Sequence, residues 1–195
     1  DTVQGYTLDH GFQVLLTSYP AAKKYLDFKA LELQELLPGA TIFKNGKSQT
    51  IGDPLRNFSL LFPTLFATIG TFSDKLKILK LNRHLKKKSI SDIFKTPETT
   101  TLTYLQTLGF SEAMLHDFFK PFFSGIFLEP NLETSSRMFE FVYKMFGDGL
   151  ATIPKAGMQA ISNQLKDGLK NTTIVLNSPV KEVKNKTVIL QDGSE

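Results

Sequence analysis

The chain has 195 residues, an apolar fraction of 41%, a charged fraction of 22% and a net charge of +4, the profile of a globular protein with a substantial core. It contains no cysteine, which excludes disulfides, thiolate metal sites, thiol nucleophiles and a cysteinyl-linked flavin. His10, His84 and His116 lie far apart without an i, i+4 partner, so a histidine metal site has no pattern behind it.

The opening residues Asp1-Thr-Val-Gln-Gly5 lack the basic and apolar regions of a signal peptide. The stretch from Tyr6 to Leu16 reads as a short strand running into a glycine-containing turn. Pro20 then suits the first turn of a helix whose buried stripe would be Ala22, Tyr25 and Leu26. A second helical piece is expected from Leu31 to Leu36, and Pro38-Gly39 ends it. Ala40-Thr-Ile-Phe43 and Gln49-Thr-Ile51 flank Asn45-Gly46, a pair that tolerates positive φ and predicts a hairpin closed by Gly52-Asp53-Pro54.

Residues 57–71 and 73–88 predict two helices, the second capped by Ser73 or Asp74 and ending in Lys86-Lys87-Lys88. That lysine run reads as a solvated helix end; contact with an anionic surface is the sharper alternative. The apolar run at 58–72 falls short of the roughly 20 residues of a spanning helix, and it carries Pro63 and Gly70. Ser91-Asp92 predicts a capped turn, residues 96–108 a helix closed by Gly109, and Ser111 the cap of the next one. Five phenylalanines follow between Phe118 and Phe127, part of 17 in the chain. Their main role is core, and Phe122, Phe123 and Phe127 are candidates to line an apolar substrate site.

A helix over residues 134–145, capped by Thr134 or Ser135, leads to a strand at Leu150-Ala-Thr-Ile153. A helix over 157–169, a strand at Thr173-Ile-Val-Leu176 and a hairpin around Lys184-Asn185-Lys186 complete the pattern. No Gly-x-Ser-x-Gly, His-Glu-x-x-His, Walker or Gly-x-Gly-x-x-Gly motif is present. Asp9 and His10 are strand neighbours that face opposite ways, and Glu129, Glu133 and Glu140 read as cap and surface charges. From the residues alone the chain is an α+β protein with an apolar centre. A non-catalytic helical binding module for an apolar ligand or protein partner is one reading of it, and basic nucleic-acid binding has no support.

Three blocks add a resemblance. Gly5-Tyr-Thr-Leu-Asp-His-Gly-Phe-Gln-Val-Leu-Leu-Thr-Ser-Tyr-Pro20 resembles the flavin-proximal strand-turn of the FAD-dependent amine oxidase and phytoene desaturase-like oxidoreductases. Phe123-Ser-Gly-Ile-Phe127-Leu-Glu-Pro-Asn-Leu-Glu-Thr-Ser-Ser136 is similar to a linking stretch of their substrate domain. Pro154-Lys-Ala-Gly-Met158 with Asn177-Ser-Pro-Val180 resembles the return into the FAD domain, with Ala156 where the family often has glycine.

The resemblance implies a Rossmann-like FAD domain represented by residues 1–35 and 149–195, enclosing a largely helical substrate domain at 36–148. It places Gly11, Phe12 and Gln13 near the isoalloxazine and Val180 against the adenine. The phenylalanine-rich middle favours the phytoene desaturase side, and no catalytic acid or base is assigned. The family's Gly-x-Gly-x-x-Gly loop, ribose-binding glutamate, Gly-Gly-Arg turn and C-terminal Gly-Asp segment are missing from these 195 residues. The expectation is therefore a central piece of a flavoenzyme that by itself is inactive and does not retain FAD. Its expected location is the cytoplasm, with peripheral membrane contact through residues 58–72 and the lysine run. Its expected partners are a hydrophobic or amine substrate, and further copies of itself where sheet edges lack a neighbour.

Overall fold

The computed structural model describes residues 1–11, 13–52 and 56–194. The chain is α+β and divides into two compact units, Asp1–Ile161 and Ser162–Glu195. It opens with two short paired strands, β1 (Thr2–Val3) and β2 (Tyr6–Thr7), followed by β3 (Leu15–Leu16). Helix α1 (Pro20–Tyr25) begins at its proline as predicted, but it buries only Ala22, and Tyr25 is exposed. The expected helix at 31–36 is instead a strand, β4 (Leu33–Glu35). Its partner is more than a hundred residues away, and that ladder outweighs the local leucine and glutamate preference for helix.

The predicted hairpin forms from β5 (Gly39–Lys44) and β6 (Lys47–Gly52), in register from Gly39↔Gly52 to Lys44↔Lys47. Asn45 and Gly46 both take positive φ, 51° and 73°, the backbone that a two-residue turn between twisted strands requires. The Asp53-Pro54 part of its expected closure lies outside the described residues. A 3₁₀ turn (Phe58–Leu60) leads into α2 (Leu61–Phe66), much shorter than the helix expected over 57–71. Helix α3 (Phe72–Lys87) starts one residue earlier than expected and is capped by Thr71 rather than by Ser73 or Asp74. Asp74 occupies the third position of a capping box.

Ser89 caps α4 (Ile90–Lys95), replacing the expected Ser91-Asp92 turn, and Thr100 caps α5 (Thr101–Thr107). Gly109 closes α5 at φ 78°, and Ser111 caps α6 (Glu112–Met114). From there the helix widens into a π-helical turn (Leu115–Phe119) before α7 (Lys120–Phe127). Pro121 accounts for the widening: it has no N–H to donate, and its ring crowds the carbonyl of Asp117. Helix α8 (Ser136–Asp148) is capped by Ser135. Strand β7 (Ala151–Pro154) then pairs antiparallel with β3 on one side and β4 on the other, forming the central strand of a three-stranded sheet.

Helix α9 (Gln159–Gly168) carries the boundary between the two units. In the second unit β8 (Val180–Lys184) and β9 (Thr187–Leu190) form the expected final hairpin, with Asn185 and Lys186 at positive φ. The strand expected at 173–176 is absent. Ile174, Val175 and Leu176 are exposed, because no neighbouring strand among the described residues offers them a ladder.

The core of the first unit is aromatic. Phe119, Phe123 and Phe139 have no exposed surface, and their ring centroids lie 4.8 to 6.3 Å apart at angles between 28° and 67°. Leu81, Leu85, Leu105 and Met114 close around them. Helices α3, α5, α7 and α8 thereby bury one aromatic face in common.

Around this core, helix C-termini are capped by long cationic side chains from elsewhere in the chain. Lys75 donates to the carbonyls of Leu65 and Ala67 at the end of α2, and Lys144 to those of Leu85 and Lys86 at the end of α3. Arg137 reaches Thr96 after α4, Lys77 reaches Gly109 after α5, and Arg56 spans Phe146 and Gly149 at the end of α8. Each satisfies orphan carbonyls and places positive charge at the negative end of a helix dipole, worth about 0.3 to 1 kcal/mol apiece and up to about 2 when partly buried.

Two buried carboxylates lock the remaining joints. Asp74 accepts from the Thr71 N–H and hydroxyl and from the Ser111 N–H and hydroxyl, so one side chain joins the starts of α3 and α6. Burial alone would raise its pKa, but these four donors outweigh it and hold the group at about 2. Glu140, expected at the surface, is buried in α8 and accepts from Lys88 and from the Tyr104 hydroxyl. Its position on the inward face of α8, among aromatic rings, leaves it no route to water, so two partners replace solvation. Burial, and then the hydrogen bond and charge of Glu140, push Tyr104 far above its ordinary range.

Both joints are testable by chemical denaturation. Because the folded pKa of Asp74 is depressed, its contribution is complete above about pH 4 and disappears as pH falls toward about 2. D74A is expected to cost about 3 kcal/mol at neutral pH, from a lost cap and unpaired Ser111 donors, and to flatten the acid slope. K88M leaves the Glu140 carboxylate buried without its cation and is expected to cost about 3 to 5 kcal/mol, whereas K88M/E140L recovers most of that loss.

Candidate functional site

The two ends of the first unit meet at Asp9. Its carboxylate accepts from the Met158 N–H at 3.0 Å, across 149 residues of sequence, just before α9 begins. Gly157 sits under it at φ 83°, and a Cβ there would stand 2.9 Å from the Thr7 methyl and 3.3 Å from an Asp9 oxygen. Only glycine fits both the backbone and the space. The first N–H groups of a helix have no partner inside the helix, so an acceptor from another segment does two things at once: it satisfies a donor and fixes where α9 starts.

His10 does not share this work. Its Nε2 pairs with the Asp1 carboxylate at 2.8 Å on an exposed surface; Asp9 and His10 both lie past the end of β2, so they are not the strand neighbours expected. Of the three residues expected near the isoalloxazine, Gly11 and Gln13 are exposed on the loop between β2 and β3, and Phe12 lies outside the described residues. A Cβ at Gly11 would meet nothing within 4 Å, so its backbone is open to a flat ligand.

The segment is anchored immediately downstream. Leu15 and Leu16 are buried on β7, the Thr152 hydroxyl donates to the Leu15 carbonyl, and the Ser18 hydroxyl donates to the Met145 carbonyl at the end of α8. Gly149 packs so tightly on Ser18 that a Cβ would fall 2.6 Å from its backbone nitrogen. The loop carrying Gly11 and Gln13 is thus held at its far end by the sheet and α8, and at its near end by Asp9.

Two surface grooves lie beside the Pro154-Lys-Ala-Gly-Met158 block. The larger, about 770 Å³, is lined among others by Thr17, Phe28, Glu32, Leu33, Leu150 and Lys155. The smaller, about 250 Å³, contains Ala30, Leu31, Ala156 and Ala160. Lys155 and Glu32 line both grooves and pair at 2.6 Å. The hydrogen bond from Glu32, and then its charge, raise the Lys155 pKa. Ala156, where the resemblance expects glycine, is exposed on the smaller groove.

The phenylalanine candidates lie in neither groove. Phe123 is fully buried, in contact with Phe122 at 5.2 Å and Phe127 at 5.4 Å, while Phe122 and Phe127 are half-buried at the edge of the aromatic core. Val180 lies in the second unit, exposed, at the start of β8 and opposite Leu190. Glu129 is a loop cap: burial pulls its pKa upward, but the N–H groups of Thr134 and Asn131 hold it below the ordinary value.

Reading the sequence alone missed Asp9 as a positioning residue, along with Thr7, Ser18 and Arg56. Asp9 had a signal: a helix starting at Gly157-Met158 with no Ser, Thr, Asp or Asn immediately before it needs an acceptor from another segment. Ser18 and Arg56 had none, because their partners are main-chain carbonyls more than ninety residues on.

No curated protein and no solved structure matches the chain. The model of the family described as flavin containing amine oxidoreductase matches residues 1–195. With its strand-turn and helix-start blocks joined through Asp9 and Gly157, the chain belongs to the flavin containing amine oxidoreductases.

Proposed function

We propose that this chain provides the flavin edge and the apolar substrate domain of an FAD-dependent oxidoreductase of the phytoene desaturase-like type, taking a hydride from an apolar or amine substrate. In this reading residues 1–35 and 149–195 belong to the cofactor domain and residues 36–148 to the substrate domain. The observation that carries it is the bond from the Met158 N–H to Asp9, which joins the two blocks that would meet the flavin.

The residues present fit a flat cofactor at that edge. The open backbone at Gly11 lets a ring system approach without a side chain between them, and the exposed Gln13 offers amide donors and acceptors beside it. Gly157 keeps the start of α9 close to β2. Val180 is the residue proposed to meet the adenine through its main chain. A bound flavin would supply the hydride acceptor; the chain supplies its position.

For the substrate, Phe122 and Phe127 present apolar ring edges, and Phe123 between them fixes their orientation from within the core. No side chain here is proposed as acid or base. Hydride removal leaves a cation that an amine stabilises through its nitrogen lone pair, and that a C–C substrate resolves by losing the neighbouring proton to water; the aromatic wall supplies the alignment.

The test is purification of the native protein with its visible spectrum recorded. The expected result is a yellow protein that releases FAD on denaturation. D9A is expected to weaken flavin retention about tenfold, the worth of one charge-assisted hydrogen bond, with far-ultraviolet circular dichroism unchanged. G157V, which adds both a clash and a strained φ, is expected to lose more. A folded, colourless native protein that takes up no added FAD overturns the reading and leaves an apolar binding module.

A further inference from the structure

The aromatic side chains of two regions contrast in exposure, while Tyr6, Tyr25, Phe43 and Phe94 are exposed at scattered positions elsewhere. Those of α5 to α8 are buried or half-buried together. Those of the 3₁₀ turn and α2 are turned outward: Phe58 is 73% exposed, Phe62 60% and Phe66 74%. Spaced four residues apart, they fall along one side of the helical turns, and the rings of Phe62 and Phe66 stack in parallel at 6.4 Å. Leu65 lies exposed beside them.

The exposed face of α3 continues the apolar surface and then changes character. Phe72, Leu76 and Leu79 occupy its first half; Lys80, Arg83, Lys86 and Lys87 follow along the same side of the helix. The one acidic residue of α3, Asp74, is buried inward. Among the described residues no carboxylate pairs with Lys80, Arg83, Lys86 or Lys87, whereas Lys75 and Lys77 are committed to carbonyls. Lys75 also holds the end of α2 against the start of α3, so the two surfaces belong to one rigid corner of the first unit.

We propose that this corner docks the protein onto an anionic lipid surface, with Phe58, Phe62, Phe66 and Phe72 entering the headgroup–acyl boundary and Lys80, Arg83, Lys86 and Lys87 lying over acidic headgroups. The charge pattern selects this occupant over a second copy of the chain. Four unpaired cations at the edge of the apolar face would repel their own kind across a symmetric contact, but each gains about fivefold in affinity near an acidic leaflet. No helix among the described residues is long and apolar enough to cross a membrane; the proposed contact is made by exposed side chains at one leaflet. The inference uses surface chemistry alone and stands apart from the flavin reading.

The experiment is sedimentation of the native protein with vesicles of phosphatidylcholine, alone or with one quarter phosphatidylserine. Binding is expected on the mixed vesicles, weakening with salt. F62S/F66S changes only exposed positions, so it should keep the wild-type melting temperature and lose at least about tenfold in partitioning. K86E/K87E should lose about as much on the mixed vesicles and little on neutral ones. Wild-type protein remaining in the supernatant with mixed vesicles overturns the proposal. So does equal binding of K86E/K87E and wild type. A concentration-dependent dimer that F62S/F66S abolishes, without any vesicle binding, overturns it in favour of a protein interface.

Discussion

The architecture of the first unit depends on long cations closing the carbonyl ends of helices to which they do not belong. Helices α2, α4 and α5 have six or seven residues each, too short to be stable on propensity alone. A short helix still leaves four carbonyls unpaired, so a larger share of its backbone needs outside help. Here Lys75, Arg137 and Lys77 provide it, and Arg56 and Lys144 do the same for the longer α8 and α3. Each cap is also a tether between elements, so local satisfaction and tertiary assembly are one event. The acidic counterpart is Asp74, which ties two helix starts together through four donors.

This design decides what the aromatic core can do. With helix ends fixed from outside, the interior need not be shaped by helix length or loop geometry, and large rings can fill it. Phe119, Phe123 and Phe139 meet at tilted and stacked angles that suit their quadrupoles. The π-helical turn forced by Pro121 belongs to the same solution. It places His116 outward and Phe119 inward, while Asp117, its side chain largely covered, holds Lys44 of the β5–β6 hairpin.

Local chemistry was readable where it was self-contained. Asn45-Gly46 set a hairpin, Pro20 a helix start, Gly109 a helix end, and Ser111 and Ser135 their caps, because each acts on atoms within a few residues. Two equally local caps, Thr71 and Ser89, lie two residues before the serines expected, Ser73 and Ser91, and local rules failed where the partner was remote. Leu33–Glu35 carries helix-favouring residues, yet it pairs with Ile153 and its neighbours, which no local rule can see. Ile174–Val175–Leu176 has strand residues without a neighbour, so propensity had nothing to pair with. Glu140 looked like a surface charge because its two partners come from α5 and the residue after α3. At the candidate site the blocks themselves were legible, but the need for glycine at 157, set by Thr7 and Asp9, was not. Neither was the joint between the blocks, since it rests on one Asp9 carboxylate and one N–H 149 residues apart.

The distribution of basic residues shows how one type of side chain separates structural from surface work. Lys75, Lys77 and Lys144 sit on the inward or flanking sides of their helices, where a four-carbon stem can lie along apolar surface and deliver its ammonium to a carbonyl. Lys80, Arg83, Lys86 and Lys87 lie one helical face away on the exposed side of α3, with Lys86 and Lys87 in its own last turn. A cation that caps a helix is offset in part by about half a negative charge at the helix end, so it projects a weaker field than one on the open face. Along α3 the switch from one role to the other takes a rotation of roughly a hundred degrees per residue, so neighbours in sequence carry opposite duties. The net charge of the chain therefore understates the positive potential of this face. Several of its cations are spent on the fold, and those that remain are gathered beside its exposed aromatic rings.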